Sequence, residues 1–76
     1  MKPEITWGDT VQVTQNAHSE YCPGQLGAVC GFWEVDNPKA EQRFKVPRGT
    51  MLYIVEFGDG NSVQIPETFL VKIAEG

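Results

Sequence analysis

The stretch from Met51 to Ile65, MLYIVEFGDGNSVQI, constrains this chain most: two β-rich runs are joined by Gly-Asp-Gly-Asn. Tyr53, Val55 and Phe57 alternate with Leu52, Ile54 and Glu56, and Val63 and Ile65 alternate with Ser62 and Gln64. This is the period of two that gives a strand one buried face. Gly58 and Gly60 can take positive φ at little steric cost, while Asp59 and Asn61 can hydrogen-bond within their own turn, so the chain reverses here as a hairpin. In this register Val63 and Ile65 point inward and Gln64 outward.

The rest of the chain reads as short strands separated by loops. A lead-in from Lys2 to Gly8 turns at Gly8-Asp9 into a strand expected over Thr10 to Thr14, where Val11 and Val13 alternate with Gln12 and Thr14. Gln15 to Gln25, rich in Asn, His, Ser, Glu, Pro and Gly, reads as a long loop anchored by Tyr21. A second strand is expected from Leu26 to Val35, with Gly27 and Gly31 marking a bulge or tight bend. Because one bulge reverses side-chain parity, the faces taken by Phe32 and Trp33 stay open at this level. Asp36 to Thr50 contains Pro38, Pro47 and Gly49 and reads as a long loop, with room for one helical turn between Ala40 and Lys45. A turn of 3-10 type at Pro66-Glu67-Thr68-Phe69 then leads into a last strand near Leu70 to Ile73.

A chain of 76 residues permits one domain, spanning 1–76, near the size at which a core only just outweighs chain entropy. Five short strands between glycine turns predict an all-β fold, a five-stranded, partly open barrel of the SH3-like kind. No stretch approaches the roughly 18 apolar residues of a membrane span. The first residues lack an apolar signal-peptide region, so a cytoplasmic location with free thiols at Cys22 and Cys30 is expected.

The residues resemble a known scaffold. Gly8-Asp9-Thr10-Val11, Gly24, Gly27-Ala28-Val29, Tyr53 to Phe57, Ile65-Pro66 and Leu70 look like the small SH3-like barrels that include KOW modules and the nitrile hydratase β-subunit tail. That scaffold hosts RNA binding, peptide binding, metallochaperoning and toxin immunity, so the resemblance implies a fold and a menu of functions. Val63-Gln64-Ile65, with Gly8-Asp9, Gly24-Gln25 and Leu70 to Ile73, is also similar to the plasmid-borne type II dihydrofolate reductases, tetrameric barrels around one pore. That resemblance implies NADPH and folate as ligands and Gln64 and Ile65 as pore residues. The family's tyrosine is Pro66 here and its pore lysine falls on Gln12 or Val13, which removes the groups that attract anionic ligands.

Charge and chemistry narrow the menu. The formal net charge is −4, but Lys39, Arg43, Lys45 and Arg48 fall in Asp36 to Thr50 against only Asp36 and Glu41, leaving that segment +2 and the remainder −6. A basic loop on an acidic body argues against general nucleic-acid affinity, although the four cations make a KOW-like RNA binder the third reading. His18, Cys22 and Cys30 lack a fourth strong ligand and a paired knuckle, so no metal is expected. His18, Glu20 and Cys22 are neighbours on a loop, which does not make a catalytic triad. Trp7, Tyr21, Phe32 and Trp33 stand at loop and strand ends, where SH3-like barrels place a ligand groove; a second small core patch is the other role open to them. The expected function is therefore a non-catalytic module without cofactor, binding another protein in the manner of an immunity protein. A reductase-like homo-oligomer is the enzyme alternative.

Overall fold

The hairpin forms where the alternation places it. In the computed structural model, which describes residues 5–74, β3 (Met51–Phe57) pairs with β4 (Ser62–Pro66) in the register Val55 to Val63 and Tyr53 to Ile65. Gly60 alone of the turn glycines takes positive φ, 89°. Its N–H donates to the Phe57 carbonyl at 3.0 Å, and the Asp59 carboxylate accepts from the Asn61 backbone at 3.0 Å. The Phe57 N–H donates to the Asn61 carbonyl at 2.8 Å. From there the antiparallel ladder alternates, directing the backbone of Val63 and Ile65 toward β3 and that of Ser62, Gln64 and Pro66 toward the open side. Pro66, which has no N–H, therefore removes no ladder bond.

The remaining strands are β1 (Thr10–Val13), β2 (Leu26–Glu34) and β5 (Leu70–Ala74), and all five make one antiparallel sheet in the order β4-β3-β2-β1-β5. The sheet curls without closing, an SH3-like, partly open barrel. Short 3-10 turns at Ser19–Tyr21 and Glu67–Phe69 sit in the β1–β2 loop and before β5. The turn into β1 is held by Asp9, whose carboxylate accepts the Thr6 N–H at 2.8 Å and lies 3.4 Å from the Lys72 ammonium. The ends of the expected 1–76 domain, and residues 2–4 of the expected lead-in, lie outside the described residues.

Val11, Val13, Val29, Tyr53, Val55, Phe57, Ile65 and Leu70 fill the inner face, joined by Ile5, Ala17 and Tyr21. Val55 is fully buried, so Val55→Ala is expected to destabilise the fold by about 1–3 kcal/mol, read as a lower urea midpoint; an unchanged midpoint would place Val55 at the surface.

Two features go beyond the sequence expectation: the bulge or bend marked by Gly27 and Gly31 falls at Cys30 and settles the open strand faces, and a helix stands where a loop was expected. In β2 the register shifts between Val29 and Gly31, which leaves Cys30 as a bulge. Phe32 then pairs opposite Tyr53 on the inner side, and Trp33 opposite Leu52 on the outer side. The second departure lies in the expected 36–50 loop, where Pro38–Phe44 is a helix, α1. Asn37 caps it by accepting the Ala40 N–H at 2.9 Å, Pro38 opens it, and Lys45 closes it in a left-handed conformation with φ of 56°. Ala40 and Phe44, one helical turn apart, lie against the outer face with Val35, Leu52, Trp33 and Val46 as a second core. Leu52, expected on the face away from the core, is thus completely buried.

Candidate functional site

The four aromatics expected to share a groove are distributed around the barrel. Tyr21 is a core residue, 5% exposed, with its ring 5.8 Å from Phe69 and the His18 ring edge-on to both. Phe32 remains 46% exposed at 5.7 Å from the Tyr53 ring, and Trp7 is 70% exposed. Trp33 lies on the opposite face, half-buried 6.0 Å from Phe44, with its indole N–H donating to the Gln64 side-chain oxygen at 2.7 Å. Consecutive strand residues take opposite faces, and the Cys30 bulge decides that Phe32 is the inner one and Trp33 the outer.

What does converge is one residue from each expected set. The C-terminal end of α1, the 3-10 turn Ser19–Tyr21 and the outer face of β3 and β4 surround a hollow of about 410 Å³ bordered by Glu20, Tyr21, Arg43, Phe44, Ile54 and Gln64. A smaller one of about 140 Å³, bordered by His18 and Lys45, shares Glu20, Tyr21, Arg43 and Phe44 with it. The lining of the larger hollow mixes the apolar side chains of Phe44, Ile54 and Val63 with the charges of Glu20 and Arg43. The Arg43 guanidinium carbon stands 5.0 Å from the centre of the Phe44 ring, a cation–π contact. Glu20 and Phe44 were not expected here, the spacing of Phe44 four residues after Ala40 being the sequence signal for the latter; Ile54 stands beside Gln64 on the outward face, as the strand alternation implies.

The other expected site residues fall elsewhere. Gln64 points outward as its register required, while Ile65 is fully buried in the inner core. Lys39 borders a further hollow beside Trp33, which Arg43 and Phe44 also line, and Arg48 is 3.5 Å from Glu41. Cys22 is half-buried, Cys30 is exposed and its thiol reaches the Ile54 carbonyl at 3.4 Å, and both are free. Cys22 opens onto a different hollow from His18, alongside Pro23, Phe57 and Val63. Among the described residues no three His, Cys, Asp or Glu side chains are grouped to hold a metal, and no helix is long and apolar enough to cross a membrane.

Two physical properties of the rim are testable. Burial, and then the Glu20 charge, raise the Tyr21 pKa above its ordinary value of 10.0, with Arg43 partly opposing them. For an acid raised on folding, the stability it contributes is full below its unfolded value and is lost as pH climbs through its folded value. Tyr21→Phe should therefore flatten the decline of the urea midpoint above about pH 10, and an unchanged decline would contradict this. Lys45 and Cys22 are the two residues other than glycine with positive φ among those described. Left-handed backbone costs a side-chain-bearing residue about 1 kcal/mol, so Lys45→Gly is expected to raise Tm by about 4–8 °C in a calorimetric scan.

Set against known protein families, curated proteins and solved structures, the chain matches none of them. What defines it is its fold, an all-β, SH3-like, partly open barrel with a helix laid on its outer face. The site adds a mixed apolar and charged hollow beneath that helix.

Proposed function

We propose that the chain is a non-catalytic binding module for another protein, which it engages through the hollow beside α1. The supporting observation is the hollow itself, whose lining brings Phe44 and Ile54 together with Glu20, Arg43, Tyr21 and Gln64. Recognition surfaces combine such an apolar centre with a polar rim. An immunity-like role fits the acidic body, whose field would speed encounter with a basic partner surface. The reductase-like reading draws less support: the Gln64 oxygen it would turn toward a pore is held by the Trp33 indole. The RNA-binding reading likewise loses Arg48 to its contact with Glu41.

The test places a photoreactive benzoylphenylalanine at Ser62, which is exposed and borders the hollow, and separately at Ala28, exposed on β2. Irradiation in cells of the source should give a discrete protein adduct from position 62 and none from position 28. The same pattern from both positions would overturn the proposal. So would calorimetric binding of NADPH or dihydrofolate by a tetramer, or tight binding of single-stranded RNA at physiological salt.

A further inference from the structure

The polarity of the smaller hollow is opposite to that of the molecule. Outside residues 36–50 the chain carries a net charge of −6, yet Arg43 and Lys45 both border the smaller hollow, where Glu20 alone is acidic. The other two cations of that segment are directed elsewhere, Arg48 to Glu41 and Lys39 to the hollow beside Trp33. The positive charge is therefore placed, not merely present.

Lys45 makes the same point through the backbone. It ends α1 in the left-handed conformation that helix C-caps reserve for glycine. The chain carries a long cationic side chain at a position where none would be more stable, and backbone strain of this kind gathers where a side chain is needed for binding. Arg43 complements it. Its guanidinium carbon stands 5.0 Å from the centre of the Phe44 ring, and a guanidinium held there can meet a carboxylate in a two-point contact.

We propose that the hollow selects an acidic segment of the partner, seating one glutamate or aspartate carboxylate against Arg43 and Lys45 and an adjacent aliphatic side chain on Phe44 and Ile54. This rests on the binding-module reading and adds the chemistry of its ligand. Glu20, on the same rim, limits the segment to a single carboxylate, because a second would meet like charge. The acidic body meanwhile disfavours any partner whose acid is not flanked by neutral or basic surface, so the charge pattern fixes orientation as well as affinity.

The experiment follows backbone amide resonances of the labelled full chain during titration with three blocked peptides, Gly-Leu-Glu-Leu-Gly and the same sequence with Gln or Lys at its centre. The Glu peptide should shift the signals of Arg43, Lys45, Ile54 and Gln64, bind about fivefold more tightly than the Gln peptide, and weaken as salt is added. Arg43→Gln should erase the preference for Glu over Gln. Glu20→Gln should strengthen binding of the Glu peptide, a gain that a purely structural role for the rim would not produce. Lys45→Gly should raise Tm while lowering affinity for the Glu peptide about threefold. Equal binding of the Glu and Gln peptides at the hollow overturns the acidic preference and leaves the binding-module reading intact. Failure of every peptide to shift the hollow at millimolar concentration overturns both.

Discussion

Gly27→Ala is expected to lower Tm by about 12–24 °C, among the largest losses available from a single methyl group in this molecule. An added Cβ would stand 2.5 Å from Val55 Cγ1, 2.9 Å from the Glu56 carbonyl oxygen and 3.1 Å from Phe57 Cδ1. The Val55 methyl can turn only into a fully packed core, and the Glu56 oxygen belongs to the β3 backbone paired with β2 at Ala28. Overpacking costs about 1–3 kcal/mol where side chains can shift, and backbone on one side pushes the cost to the top of that range. A domain of this size has about 4–11 kcal/mol of stability in all. Thermal unfolding followed by circular dichroism checks the effect. A melting point within a few degrees of the parent would mean that β2 and β3 separate more easily than their packing implies.

Leu52→Ala is expected to be comparably damaging, and its damage has a direction. Leu52 is fully buried in the second core, which otherwise consists of Val35 and Ala40 with the flanks of Trp33, Phe44 and Val46. A buried Leu→Ala change costs about 2–5 kcal/mol, through lost transfer energy and the cavity left behind. Few neighbours are available to fill that cavity, and they are the residues that dock α1. Amide hydrogen exchange should therefore show the N–H groups of Ala40 to Phe44 losing protection before those of Val29 and Val55. Since α1 carries Arg43 and Phe44, binding at the hollow should fall further than global stability. Uniform loss of protection across the sheet would refute this local account.

The contrast between Val55 and Leu52 shows how much was legible in the sequence. The alternation of Tyr53, Val55 and Phe57 with the Gly-Asp-Gly turn located the central hairpin and its inner face, because both signals act over neighbouring residues. Leu52 reads from the same alternation as a solvent-side residue, and only a helix arriving from another part of the chain makes it core. That helix has seven residues and two apolar anchors, Ala40 and Phe44, too few for periodicity to reveal. Its end signals were present at Asn37-Pro38, although a lysine stands where glycine would normally mark the stop. The parity of Phe32 and Trp33 was hidden for a different reason: Gly27 and Gly31 announced a bulge or bend in this strand, but which residue is left out of the pairing is a property of the register with β3. The candidate site shares that non-local character. Tyr21, Arg43 and Gln64 each stand out in the sequence for separate reasons, as loop aromatic, loop cation and strand amide. Their meeting depends on the 3-10 turn, α1 and β4 closing around one space.

Pro66 has a consequence for how this molecule can meet others at all. An open sheet has two unfinished margins, and each is a template on which a foreign strand can polymerise. Along β4 the template is spoiled at Pro66, which is fully buried and has no N–H to donate. Along β5 it is spoiled by a register shift that leaves Ile73 out of step between Lys72 and Ala74, a bulge that twists the margin away from a straight neighbour. Both margins resist growth by backbone pairing, the route by which small β domains exchange segments or form fibrils. For a molecule defended in this way, the proposed recognition of another protein would run through side chains, and its specificity could be rewritten by substitutions around one hollow without disturbing the scaffold beneath.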